Sequence, residues 1–373
     1  MISKQAPSPI LTSAVIASRY IPVWIALVVL VLVALVIAPE TLSRASFTVV
    51  LPLTSFLAIA ALGQMLVIMT GGIDLSVPGV MTLAAMITVG VATGSNDRLV
   101  LAIVVALGAS GLIGLTNGFL VGVLKLNALI VTLAIGQVIR GATIAYATGV
   151  ANEAAVPDRL SIWATTQFLG AGWIFWVGII ITLLLTLLLR YTGLGRQFQS
   201  VGANPLAAWI AGIRVNIYVI FAYVGASLLY GLAGILLAGF IRSPTLGLGA
   251  PYLLGPIAAV VIGGASLTGG LASATSTWAA AFFLVLLSQL LRVLGLPSAL
   301  QFVVFGAAIV GGMVISGDRI ITVVERLFQG LSVEPKAVDF GRGDETLEPS
   351  NVGSLASPAP IPETQERNPR PHD

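Results

Sequence analysis

The chain contains no cysteine, so disulfides, thiolate nucleophiles and cysteine-ligated metals are excluded. Its single histidine, His372, is the penultimate residue, which removes histidine-dependent catalysis and most zinc sites. Lysine is scarce as well. Lys4 stands in ISKQA, Lys125 in VLKLN and Lys336 in EPKAV, and none belongs to a Walker A phosphate loop. If ATP drives this protein, another chain hydrolyses it. Charge is thin throughout: Asp, Glu, Lys and Arg make up 9% of the 373 residues, against about 25% in an average soluble domain. No pair of carboxylates, no Ser/His/Asp set and no metal cluster stands out, so an enzyme has little to work with and no bound cofactor or metal is expected. The formal charge of +3 comes from basic residues scattered at segment ends, which does not suggest nucleic acid as a partner.

What is present is hydrocarbon. Hydrophobic residues are 57% of the chain, and runs of eighteen or more apolar residues recur, each long enough to cross about 30 Å of lipid. The expected fold is an all-α polytopic membrane protein with about ten transmembrane helices, some broken or re-entrant. Residues 1–20 form a polar leader, 21–316 the membrane domain, and 317–373 a tail rich in Pro, Ser, Glu and Arg. Such a tail cannot bury enough surface to offset its ordering entropy and is expected to be disordered. The spans expected are Ile21–Ala38, Phe47–Thr70, Gly79–Thr93, Leu99–Leu124, Ala128–Thr148, Ala171–Leu189, Val215–Phe240, a short Pro256–Gly264, Thr275–Leu294 and Ala299–Ser316. A signal peptide is the rival reading of the first, but it is longer than the usual signal core and begins late. Lys4, Arg19, Lys125, Arg190, Arg196, Arg214, Arg319 and Arg326 then fall on one side, which the positive-inside bias makes cytosolic together with both termini.

Two places interrupt the helices. One is Gly71-Gly72-Ile73-Asp74-Leu75-Ser76-Val77-Pro78-Gly79, and the other surrounds Gly263-Gly264 and Gly269-Gly270. Irregular backbone at membrane depth is tolerated only inside protein or beside a wet cavity. Asp74 is the one acid at that depth, and an intramembrane carboxylate is by default a functional candidate. Asp74 and Ser76 also precede a helix starting near Pro78, where their oxygens would cap free N–H groups. Both readings stand. Thr132, Gly136, Arg140 and Thr143 share one face of the fifth span, which should turn to protein or water. Arg140 must snorkel, pair or line a wet cavity, and Asp74 is a conceivable partner. Gln64, Asn117 and Gln137 are expected to bond helix to helix, and Gly114, Gly118 and Gly122 to let two backbones approach closely.

The passage Arg190–Arg214, RYTGLGRQFQSVGANPLAAWIAGIR, is amphipathic and basic between two apolar runs. Asn204 reads as a helix cap with Pro205 at the first helical position, and the short helix should end near Gly212. A short helix on the cytosolic face is a handle for a soluble partner, and an ordinary solvated loop is the plainer reading.

Four stretches together resemble the permeases of bacterial monosaccharide ABC importers, the ribose, xylose and arabinose type: LGQMLVIMTGGIDLSVPGVMTLAAM (62–86), TNGFLVGVLKLNALIVTLAIGQVIRGA (116–142), GLGRQFQSVGANPLAAWIAGIRV (193–215) and PIAAVVIGGASLTGG (256–270). The resemblance implies the importer fold shared by ribose and vitamin B12 permeases, in the bacterial inner membrane. It implies a second permease copy or sister permease, a cytosolic ATPase that holds the ATP and Mg, and a periplasmic sugar-binding protein. It assigns coupling to the ATPase to Gly195, Arg196, Gly202, Asn204, Pro205, Ala207 and Ala208. The residues themselves make Gly71, Gly72, Asp74, Ser76, Asn117, Thr132, Arg140, Gly263, Gly264, Gly269 and Gly270 the candidates for helix breaks or the translocation path. Three departures accompany the resemblance. The family's Glu-Leu-Asp is replaced by Leu253-Leu254-Gly255, its Pro-Pro-Phe by Asn127-Ala128-Leu129, and its glycine after Asp-Leu-Ser-Val by Pro78. Rival functions are the same machine carrying a branched-chain amino acid or nucleoside, an ion-coupled secondary transporter centred on Asp74 and Arg140, or a pore that needs no nucleotide.

Overall fold

Several helix starts in this chain are written in short polar side chains. In the computed structural model, which describes residues 19–148, 155–297 and scattered positions from 299 to 311, the helices run as follows. After α1 (Ile21–Ile37), Ser43 caps α2 (Arg44–Met69) by accepting from Ser46 N. There follow α3 (Val77–Ala92) and α4 (Leu99–Gly122). Asn127 opens α5 (Ala128–Tyr146), its Oδ1 accepting from the amides of Leu129 at 3.0 Å and Ile130 at 3.3 Å. One departure from the resembled pattern is thereby explained, because asparagine satisfies amides that a proline pair would have lacked or left free.

The chain continues with α6 (Asp158–Thr165), a two-residue hairpin of β1 (Gln167–Phe168) and β2 (Ala171–Gly172), and α7 (Trp173–Tyr191). Then come α8 (Gly193–Ala203), α9 (Pro205–Ile210), α10 (Val215–Ile241), the eight-residue α11 (Gly255–Ile262) and α12 (Ala274–Val293). Among the described residues six helices, α2, α4, α5, α7, α10 and α12, are long and apolar enough to cross a membrane, with α1 and α3 shorter but apolar. The protein is a multi-pass membrane protein. The expected helical boundaries hold to within a few residues through 294. The leader before Arg19, the loop at 149–154, most of the expected tenth span and the tail lie outside the described residues.

The helix α2 is at the centre. Every residue from Thr54 to Met69 is buried, and α10, α12, α11 and α7 surround it. A helix apolar on every side can be covered all round without exposing polar groups. The outer helices α1, α4, α5 and α7 instead keep large apolar side chains such as Val36, Val100, Ile130 and Leu184 exposed. On helices of this length those faces meet hydrocarbon. Lipid is as apolar as leucine, so close packing rather than burial from water joins the helices. Gly114, Gly118 and Gly122 do this for α4 and α10: a Cβ on Gly114 would stand 2.7 Å from Val224 Cα, and one on Gly118 2.8 Å from Ile220 Cα.

Candidate functional site

Between α2 and α3 the chain leaves helical geometry for seven residues, and neighbouring side chains replace the missing ladder. Gln64 of α2, with its amide oriented to satisfy both ends, accepts from Asp74 N at 3.1 Å and donates to the Asp74 carbonyl and the Tyr230 hydroxyl, each at 3.0 Å. Asp74 Oδ1 accepts from the Ser76 amide at 2.8 Å and from the Ser76 hydroxyl at 2.6 Å. Ser76 Oγ in turn accepts from Asn117 Nδ2 of α4 at 3.1 Å. Leu75 N donates to Thr132 Oγ1 of α5 at 2.9 Å. Three helices thus hold one break, and Asp74, Ser76, Asn117, Thr132 and Gln64 are all fully buried.

This corrects the expected cap in one respect. Ser76 occupies the N-cap position of α3, yet its side chain accepts no helix amide. The desolvated carboxylate of Asp74 takes the two nearest donors, the N–H and O–H of Ser76, and so closes a turn on itself. Pro78, in the first turn of α3, brings no N–H and reduces what remains to be capped. Glycine at that position would have added a donor.

Behind this knot and in front of it the chemistry differs. A groove of about 460 Å³ opens between α5, the start of α3 and the segment 246–253. Its walls include Leu75, Pro78, Gly79, Gly136, Gln137 and Arg140. Of the polar residues suggested for a path, only Arg140 reaches it; Asp74, Ser76, Asn117 and Thr132 back the wall. Asp74 is sealed and Arg140 exposed, and no ion pair joins them. Gln137, expected to bond another helix, also lines the groove. Gly136 and Gly79 make the α3–α5 contact, a Cβ on Gly79 standing 3.2 Å from Gly136 O. The segment 246–253 folds inward because Gly249 N donates to Thr82 Oγ1 at 3.0 Å, and Leu253, where the resembled pattern has glutamate, is in the wall.

The Arg190–Arg214 passage is two short helices. Thr192 caps α8 and Asn204 caps α9, with Asn204 Oδ1 accepting from Ala207 N at 3.0 Å and Pro205 at the first position. Gly212 ends the motif at φ +83°, the left-handed value that glycine adopts freely. Gly195, Gly202 and Ala208 face inward and are buried, whereas Leu206, Trp209 and Ile210 project outward beside exposed Arg196, Arg214, Asn204, Pro205 and Ala207. Phe198 meets Tyr218 of α10 edge-on at 5.4 Å, and the Tyr218 hydroxyl donates to Gln197.

Inward from that passage, glycines from three parts of the chain meet. Gly270 N donates to Met69 O, the end of α2, at 2.9 Å. A Cβ on Gly202 would fall on Met69 O and on Gly270 N. A Cβ on Gly269 would stand 2.7 Å from Gly202 O and 3.2 Å from Gly71 N. Gly71, Gly269 and Gly270 all have positive φ, at +82°, +100° and +85°. Backbone touches backbone, and the passage is joined directly to both helix breaks. Gly72 lies against the Tyr223 hydroxyl, and Gly263 and Gly264 let the loop after α11 pass close to α12 and to Arg19. The residues that the sequence did not single out are Tyr223, Tyr230 and Thr82; Leu253 was marked only as a departure from the resembled pattern, not as part of a groove wall. Only the tyrosines' position within an apolar span signalled them.

The family described as "Branched-chain amino acid transport system / permease component" matches residues 46–314. The chain is 32% identical over 300 residues to the ribose import permease protein of Escherichia coli (strain K12), covering 79% of this chain and 92% of that one. It is 31% identical over 300 residues to the fructose import permease protein of Rhizobium meliloti, covering 78% and 82%. It is 30% identical over 340 residues to the autoinducer 2 import system permease protein of Klebsiella pneumoniae, covering 90% and 94%. No solved structure matches it.

Proposed function

The chain belongs to the family of branched-chain amino acid transport system permease components, and on that premise we propose that it moves a monosaccharide inward across a bacterial inner membrane. In this reading ATP and Mg are held by a separate cytosolic ATPase, and this chain supplies no ATPase site of its own. A second permease copy or sister permease completes the membrane unit, a periplasmic binding protein delivers the sugar, and both termini are cytosolic.

One observation carries the reading. The α8–α9 passage presents an apolar and basic surface outward and touches both helix breaks with bare backbone inward. Leu206, Trp209 and Ile210 are large, exposed and clustered on a six-residue helix between arginines, the composition of a protein-docking patch. Movement of the passage by an ATPase would reach Met69 and Gly270 through the backbone of Gly202 and Ala203, without passing through a flexible side chain. The first break borders the groove through Leu75, so the same displacement would change its shape.

The test is reconstitution of the chain with its candidate ATPase and binding protein in lipid, with ATP hydrolysis measured across pentoses and hexoses. Stimulation by one sugar-loaded binding protein is the expected result. Uptake by this chain alone under a proton or sodium gradient, with no response from the ATPase, would overturn the reading.

A further inference from the structure

The groove between α5, α3 and the 246–253 segment has an imbalance of hydrogen-bonding groups that bears on its cargo. Among the described residues four polar side chains line it: Thr82, Gln137, Arg140 and Thr143. Two have already committed their only proton. Thr82 Oγ1 donates to Pro78 O at 2.8 Å and accepts from Gly249 N at 3.0 Å, and Thr143 Oγ1 donates to Ile139 O at 2.7 Å. Arg140 and Gln137 are exposed to the groove, and among the described residues neither makes a hydrogen bond or an ion pair. They stand three positions apart on α5, hence on one face.

A guanidinium only donates, and an amide offers two donors for one acceptor. The free side chains of the wall are therefore rich in donors and poor in acceptors. Among the described residues no Asp or Glu lines the groove, and Asp74, next to the lining Leu75, is fully buried with Oδ1 committed to Ser76. A neutral sugar hydroxyl brings a donor with every acceptor, and to receive those donors the lining side chains offer only Gln137 Oε1 and the remaining lone pairs of Thr82 and Thr143. A carboxylate brings only acceptors. It also brings negative charge to an arginine that has no acidic partner among the described residues, in a geometry that a guanidinium fork receives two-pronged. The groove volume of about 460 Å³ lies within the range of about 300–1,000 Å³ usual for small-molecule sites.

We propose that Arg140 and Gln137 form a carboxylate-selecting station on the path, and that the cargo is a monosaccharide bearing a carboxylate. This rests on the sugar-importer reading above and narrows it. Gln137 donates to the second face of the carboxylate or to a neighbouring ring oxygen, and its carbonyl receives one sugar hydroxyl.

Saturation-transfer NMR on the intact permease–ATPase complex in lipid nanodiscs tests this with three probes: glucuronate, glucose and leucine. Glucuronate and glucose differ only in the carboxylate; leucine carries a carboxylate without the polyhydroxyl ring. The expected result is transfer to glucuronate well above glucose and leucine. Arg140→Gln is expected to weaken glucuronate by about tenfold or more, and Arg140→Lys, which keeps the charge without the fork, by less. Gln137→Ala is expected to weaken it more modestly. Equal transfer to glucose and glucuronate, glucuronate signals unchanged in Arg140→Gln, leucine as the sole binder, or no transfer to any probe would each overturn the proposal. Binding-protein-stimulated ATP hydrolysis of the wild-type complex is read in parallel. Its presence with failed glucuronate binding rejects the station alone, and its absence rejects the importer reading beneath it.

Discussion

At the scale of single residues, Gly202 and Asp74 make opposite predictions. A methyl group on Gly202 would occupy the same space as Met69 O and Gly270 N, which are backbone atoms fixed by their own hydrogen bond. Overpacking of this kind costs about 1–3 kcal/mol. Gly202→Ala should therefore lower the melting temperature in lipid and abolish sugar-stimulated ATP hydrolysis. Gly212→Ala, where φ is +83° but nothing lies within 4 Å, costs only the left-handed backbone, about 1 kcal/mol, and should leave hydrolysis coupled. Equal loss of coupling in both variants would argue against a joint at Gly202. For Asp74, the Asn variant keeps an Oδ1 acceptor for both Ser76 donors, whereas Ala strands them at about 1–3 kcal/mol per buried group. Asp74→Asn should thus fold and transport nearly as wild type, and Asp74→Ala should melt lower. A folded Asp74→Asn protein without uptake would return the carboxylate to the centre of the mechanism.

At the scale of elements, α9 separates stability from docking. Asn204→Ala removes the cap and about 1 kcal/mol, lowering the melting temperature while leaving the outer face in place. Trp209→Ser changes a side chain that is 68% exposed, so stability should hold while the affinity for the ATPase falls by about tenfold or more, measured by titration of the two purified subunits. Much of this architecture is legible from residue order. Apolar run lengths find the spans, Asn204-Pro205 finds the start of α9, and the paired glycines find both breaks. Other elements are silent in the sequence. In α8 the glycines at 193, 195 and 202 lower intrinsic helicity and read as loop; the helix forms because Phe198 packs on Tyr218 and Thr192 caps it. The β1–β2 hairpin is set by Phe168 stacking on Trp173 at 4.6 Å, and the mostly small residues before α6 give no periodic signal for its start. The meeting of Gly71, Gly202 and Gly270 was not readable either. A glycine signals that backbone passes close to something, never to what. The groove escaped for a related reason: Arg140 was visible on its helix face, but its neighbours come from segments more than fifty residues away in the chain.

At the scale of the whole molecule, α2 sets the terms of assembly. Its surroundings come mainly from α10 and α12, and the hydroxyl that meets Gln64 belongs to Tyr230, separated by 166 residues. A ribosome adding about 5–20 residues per second completes that partner roughly ten to thirty seconds after Gln64 itself. During that interval the first spans lie in the bilayer with Gln64, Thr54 and Asp74 lacking the neighbours that cover them in the finished protein. Nascent chains halted before Tyr230 should accordingly be cleared by membrane proteases faster than chains halted after Val293, a difference that pulse-chase of the two stalled lengths reads directly. The central helix is thus the first core element to enter the membrane and the last to be finished, and the vulnerable period of this protein's life is its own synthesis.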